Sequence, residues 1–257
     1  MATVTFLVYS AWALSNYHLV PRAQYLGLQF LLLGIPLFFG LLTWIGYMAA
    51  EPYVRRIWPR LMVSWQRLLS GGFRDPLVGR DVLLGGMAGS AATAIALGVS
   101  ALIGMSEANP VSPVFGQGFW PSVGYSVSQV TSACVTVLLD LALLSIMTGI
   151  LRRRWLGVAA TGLILTVLLT PGNALDFSLI VLFILLFLTV LTRVGLIAAV
   201  TYFIMTLTLG FSPPLELTQW YAGRAMIALL VPLALLVGGF YVSLGGQPTF
   251  GSAPREE

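Results

Sequence analysis

Hydrophobic residues run through this chain in long blocks, and polar positions fall between them in short clusters. The apolar blocks occupy residues 2–14, 25–50, 82–103, 125–151, 155–170, 175–192, 194–211 and 224–244. None alternates polar and apolar side chains over ten residues, as membrane β-strands do. Most approach the roughly 20 residues that carry a helix across a bilayer. The pattern predicts an all-α polytopic transmembrane helix bundle of about eight spans over residues 1–244. A Gly/Pro/Ser-rich tail, 245–257, is expected to be disordered. The first block is short for a crossing at 1.5 Å per residue. Blocks 155–170 and 175–192 leave a second arrangement open, a re-entrant pair.

Residues 51–81 differ from everything around them. They hold Arg55, Arg56, Arg60, Arg67, Arg74 and Arg80, six of the thirteen basic residues. Val54, Ile57, Trp58, Leu61, Met62, Trp65, Leu68 and Leu69 recur there at the spacing of one helical face. Arg56, Arg60, Ser64 and Arg67 occupy the other face. Pro59 suits a first helical turn and Gly71-Gly72 a stop, so an amphipathic helix is predicted over 59–70, after an opening turn at Glu51-Pro52. Trp beside Arg suits the headgroup layer, which makes this an interfacial helix. A short helix packed under the bundle would give the same pattern. Next come Arg74-Asp75 and Arg80-Asp81, around a Pro and a Gly. They read as local ion pairs in a turn, with Asp81 capping the next helix, or as a docking surface for a soluble domain. The coupling candidates are therefore Arg55, Arg56, Trp58, Arg60, Trp65, Arg67, Arg74, Asp75, Arg80 and Asp81.

Two blocks carry further information. Block 82–103 is rich in small residues, and Gly85-x-x-x-Gly89 admits a neighbouring backbone, so this helix is expected to be central rather than lipid-facing. Block 125–151 contains several Ser and Thr residues and Asp140. An aspartate at a helix centre costs roughly 2.5–3.5 kcal/mol to insert. Asp140 is thus a proton or ion site, half of a bundle ion pair, or a residue near the water layer. No second acid or base lies in another helix core to complete a relay.

Composition agrees with a membrane protein: 58% of residues are hydrophobic and 9% charged, against about 25% charged in soluble domains. The net charge of +4 rests on arginine, since the chain has no lysine; lysine-dependent nucleotide sites are excluded. Nucleic acid is not an expected partner, because the arginines sit at helix ends where the positive-inside rule accounts for them. With residues 51–81 placed in the cytoplasm, alternation puts Arg152, Arg153, Arg154 and Arg193 inside too, together with both chain ends. Ten arginines then lie in three inside segments, and Arg22 and Arg224 fall outside. The base-free loop 105–124 and the turn 171–173 fall outside as well. No basic n-region precedes the first block and no small-residue cleavage site follows it, so no secretory signal peptide is expected.

Catalytic chemistry is sparse. One His (His18, in a polar loop) and one Cys (Cys134, in an apolar block) cannot supply a typical metal site. No HExxH, GxSxG or paired acids at catalytic spacing occur. No catalytic residue, cofactor or metal is assigned, and the expected partner is the lipid bilayer.

The stretches EPYVRRIWP (51–59), SWQRLLSG (64–71) and FRDPLVGRD (73–81) resemble the membrane-embedded C-terminal region of a group of large bacterial serine/threonine protein kinases. The order of hydrophobic blocks is also similar, although the specific part is confined to 51–81. The resemblance implies a sensor or anchor module in a bacterial inner membrane, working with a cytoplasmic kinase domain in cis or in trans. These residues contain no Gly-rich loop, catalytic lysine, HRD or DFG, so no kinase activity and no catalytic residue carry over. A permease-like subunit, with 51–81 as its cytoplasmic coupling helix and Asp140 on a substrate path, is the rival from another class. Cysteines placed at Ser70 and Ser112, in a Cys134→Ser background, are expected to label from opposite faces of the membrane. Labelling of both from one face would break the eight-span alternation.

Overall fold

The computed structural model describes residues 2–15, 26–102, 119–170, 174–210 and 226–245. The polar loop with His18, most of loop 105–124, the turn at 171–173, the loop after residue 211 and the tail beyond 245 lie outside the described residues. Nine α-helices are described: α1 (Ala2–Ser15), α2 (Leu26–Ile57), α3 (Val63–Leu69), α4 (Pro76–Leu102), α5 (Phe119–Leu151), α6 (Arg154–Leu169), α7 (Ala174–Arg193), α8 (Leu196–Gly210) and α9 (Ile227–Ser243). A 3-10 turn, Pro59–Met62, precedes α3. Among the described residues there is no strand.

Length separates these helices. Gly34–Ile57 within α2, Pro76–Leu102 and Ser122–Leu151 are long and apolar enough to cross a membrane. The apolar stretches Arg154–Leu169, Phe177–Arg193, Leu196–Gly210 and Leu229–Ser243 are shorter. A helical membrane protein therefore stands, while helix length carries three crossings rather than about eight.

Contacts fix how the helices run. Gly85 meets the backbone of Ala198, and a Cβ on Gly89 would lie 2.6 Å from the Tyr202 carbonyl oxygen. Both numbers rise together, so α4 and α8 are parallel. On the adjoining face of α4, Gly79 meets Ser243 and Gly86 meets Leu236, so α9 runs antiparallel. Gly157 abuts Thr148, closing a tight α5–α6 hairpin. Its turn holds Arg152 at φ 56°, a left-handed conformation uncommon without glycine. Tyr9 stacks on Phe39 with ring centroids 4.5 Å apart, and its hydroxyl lies 3.0 Å from Ser132 Oγ, joining α1 to α2 and α5.

Two expectations are corrected here. The central helix is α8, not α4: Leu196, Ala198, Ala199, Tyr202 and Met205 are fully enclosed. Helix α4 buries only its small-residue face and exposes Leu84 and Met87 on the other. Nor is there a turn at Glu51-Pro52, because α2 continues through both residues to Ile57. Proline removes one hydrogen bond, and Arg55 restores a local tie by donating to Glu51 Oε1 one turn back. Ala50 and Val54 meanwhile anchor this turn in the core.

Most of the buried Ser and Thr hydroxyls among the described residues are satisfied within their own helices. Thr161, Thr201 and Ser145 each donate to the carbonyl four residues earlier, at 2.8, 3.0 and 2.7 Å. Such bonding keeps a polar group from standing unpaired in hydrocarbon. Tyr202 instead reaches across to the Phe183 carbonyl at 2.9 Å, tying α8 to α7. Gly85→Leu is expected to force α4 and α8 apart and cost about 1–3 kcal/mol or more. Gly98→Ala, with nothing within 4 Å of the added carbon, should leave stability unchanged or slightly raised. Denaturant unfolding followed by circular dichroism distinguishes the two, and equal stability would contradict the α4–α8 contact.

Candidate functional site at the arginine-rich end

Four segments converge at one end of the bundle. Residues 51–81 supply the C-terminal turns of α2, the 3-10 turn, α3 and the start of α4. The α5–α6 turn arrives through Arg154, whose guanidinium carbon sits 5.2 Å from the Trp58 ring centroid. At that distance a cation–π attraction applies. The α7–α8 turn arrives through Gly195: a Cβ there would lie 3.4 Å from the Leu61 carbonyl oxygen and 3.7 Å from Ser64 Oγ and Asp81 Oδ2. Gly195 has φ 142°, which suits a residue without a side chain. The end of α9 arrives through Gly245, beside Pro76. Six, three and one arginines from the first three segments thus share one pole.

The geometry of 59–81 differs from a single helix over 59–70. Pro59 starts a 3-10 turn, and α-helix is regained only at Val63. Gly71 then adopts φ 90°. The Gly72 N–H donates to the Arg67 carbonyl at 2.8 Å and the Gly71 N–H to Leu68 at 3.1 Å. That pair is a Schellman end, as two consecutive glycines favour.

The predicted amphipathic face is real but faces inward. Val54, Leu61, Met62 and Trp65 are buried in the core, with Trp65 only 2% exposed. Ser64, assigned to the polar face, is buried too. Of the two arrangements the sequence allowed, α3 takes the packed one, against α4 and α8. The indole N–H groups of Trp58 and Trp65 are buried and find no acceptor among the described residues.

The ion pairs also differ from the sequence reading. Asp75 pairs with Arg67, whose Nη1 donates at 2.6 Å, not with its neighbour Arg74. Asp75 is also the cap of α4: its Oδ1 accepts the Leu77 N–H at 2.9 Å, with Pro76 in the first helical position. Asp81, expected to be the cap, lies a turn and a half inside α4. The Asp-Pro pair at 75–76 was the available signal, since both residues prefer these positions. Asp81 is buried, accepting from Arg80 Nε at 3.2 Å and Nη2 at 2.9 Å with one oxygen, while its other oxygen faces Gly195. Arg55, besides pairing with Glu51, is positioned to donate to the Gln66 side-chain oxygen at 2.9 Å, tying α2 to α3. Arg56, Arg60 and Arg74 are exposed and make no ion pair among the described residues.

Asp140 lies on α5, away from this end. It is 7% exposed and roughly 16 Å along the helix from Leu151 at 1.5 Å per residue. It makes no ion pair among the described residues, which removes the bundle-ion-pair reading for them. Ser122, Ser126, Gln129 and Thr136 fall on the same helical stripe, and all but Thr136 are buried. No cluster of three metal-binding side chains occurs among the described residues. A cleft of about 190 Å³ opens between α4, α7 and α8 near Ala96, Phe183 and Gly210. Its hydroxyls, Thr93, Ser100 and Thr206, already donate to carbonyls of their own helices.

No family model, curated protein or solved structure matches the chain. Fold and site together define its class: an all-helical membrane protein with arginines gathered at one pole.

The Asp75 carboxyl is held below its ordinary value of 3.8 by the Leu77 N–H first and Arg67 next. A depressed folded value stabilises the fold above the unfolded pKa and loses that contribution as pH falls through the folded one. Asp75→Asn is therefore expected to lower stability at neutral pH. The gap to the parent chain should close as acid protonates Asp75. A gap independent of pH would mean that the carboxylate charge plays no part.

Proposed function

We propose that this chain is the membrane-embedded sensor or anchor module of a bacterial serine/threonine protein kinase system, with residues 51–81 as its cytoplasmic coupling element. One observation supports the reading most directly. The segment that carries the kinase-region resemblance is held by the bundle as an ordered platform, with Arg74 and Arg80 exposed on it. Arg80 leans on buried Asp81, which borders the α7–α8 turn. A force on the platform thereby reaches the bundle interior. The finer topology belongs to the same reading: eight apolar helices alternate, both termini are cytoplasmic, and the shorter helices cross a locally thin bilayer with flanking arginines reaching the headgroups. The kinase domain is supplied by a preceding segment or a separate chain.

The permease reading rests on a different observation, the buried Asp140, which makes no ion pair among the described residues. An intramembrane carboxylate of this kind is a functional residue by default.

Replacing Arg74 and Arg80 together with Gln should uncouple kinase signalling while membrane insertion stays intact. Unchanged signalling in that variant removes the coupling role. Asp140→Asn separates the two classes: it should do little to an anchor and abolish uptake in a permease. A kinase reading frame upstream of, or adjoining, this coding region would support the first reading, and an ATPase neighbour the second.

A further inference from the structure

The acids at the arginine-rich end are already committed: Glu51 to Arg55, Asp75 to Arg67 and Asp81 to Arg80. The corner where the α5–α6 turn meets the end of α2 has no such neutralisation. Arg56, Arg60, Arg152, Arg153 and Arg154 are all exposed there and make no ion pair among the described residues. Arg154 is fixed over the Trp58 ring. That contact brings the two arginine groups, more than ninety positions apart in sequence, to one place. Helix α6 starts at this point without a side-chain cap, but α2 and α5 end here, so the helix dipoles offset one another and the positive charge is that of the arginines.

The depth of the corner selects the partner. Ile150 and Trp155, on either side of the three arginines, are 67% and 66% exposed. Met48 and Tyr53 on α2 are exposed as well. The helices long and apolar enough to cross a membrane, Gly34–Ile57 and Ser122–Leu151, both end at this corner, so in a bilayer these exposed apolar side chains would meet acyl chains and the guanidinium groups just beyond them would meet the phosphates. A phospholipid meets both demands at once, acyl chain against the apolar margin and phosphate against the arginines. A soluble acidic segment matches only the second.

We propose that this corner is a binding site for anionic phospholipid headgroups, held by Arg56, Arg60 and Arg152–Arg154 with Trp58 positioning Arg154. Planar guanidinium groups take a phosphodiester through paired N–H donors. The site does not depend on the kinase reading: it uses neither Arg74 nor Arg80 and would serve a permease equally well.

The test uses the full chain purified in neutral detergent. Phosphatidylglycerol and phosphatidylcholine with identical acyl chains are titrated in, with bound lipid counted by native mass spectrometry. Phosphatidylglycerol should be retained preferentially. The R152Q/R153Q/R154Q variant should bind it at least about tenfold more weakly, since each basic residue contributes to attraction at an anionic surface. R152K/R153K/R154K should keep most of the affinity, because it preserves the charge. R56Q/R60Q leaves the α5–α6 turn untouched and should also weaken binding, so the idea stays testable if the triple variant fails to fold. Two further arms identify the source of the anion: glycerol phosphate should not displace the lipid at equal concentration, and a polyglutamate peptide should not compete. Equal retention of the two lipids, or unchanged binding by both Gln variants, would sink the proposal. Displacement by the peptide in preference to lipid would assign the corner to a soluble acidic partner instead.

Discussion

The bundle depends on one close approach, the contact of the α4 glycine face with the backbone of α8. Hydrocarbon supplies little drive for two apolar helices to associate, because a lipid tail is as apolar as leucine. What remains is packing, and packing improves as backbones come nearer. Gly85 and Gly89 let α8 approach until its carbonyls touch α4. On the adjoining face, Gly79 and Gly239 do the same for α9. With α4 gripping a helix on each of two faces, α8 becomes enclosed, and the aromatic side chains of Phe183, Phe187, Tyr202 and Phe203 pack where α7 meets it.

Charge is distributed by a second rule that is independent of the first. Arginines far apart in the chain are expected on one side of the membrane because translocating them is costly. The folded chain then uses them differently. Some are committed to local pairs that shape the end of the bundle, as Arg67 does with Asp75 and Arg80 with Asp81. One, Arg154, is held by an aromatic ring. The rest of those described are left on the surface. Insertion needs only the count, whereas these arrangements need particular partners.

Helix identity was legible in the sequence because long apolar blocks admit few alternatives, and so was the glycine face of α4. The stop at Gly71-Gly72 was legible for the same local reason. Errors arose where a local signal competed with packing. Pro52 reads as a break, yet Ala50 and Val54 are buried on either side of it and the helix runs on. Trp65 reads as an interfacial aromatic, yet burial against α4 and α8 outweighs the headgroup preference. Asp75 rather than Asp81 caps α4 because Pro76 starts the helix one residue after it, a turn and a half before Asp81. The Trp58–Arg154 contact and the fit of Gly195 against Asp81 could not be read from one sequence, since both join segments distant along the chain. Their closeness follows from the order in which helices stack. That order is set by side-chain shape rather than by periodicity.

Helix α2 runs unbroken from Leu26 to Ile57, and this has a mechanical meaning. At 1.5 Å per residue it is a rod of about 48 Å, well beyond the roughly 30 Å of hydrocarbon. A joint at Glu51-Pro52 would have let the arginine-rich end move apart from the span below it. Without one, a tilt imposed above Pro36, where a proline already interrupts the helix ladder, must displace Ile57, and with it Trp58, about whatever point the bundle holds fixed. The stacked ring of Phe39 marks such a point near mid-length. The upper part of the helix is thus a lever whose fulcrum is its contact with α1.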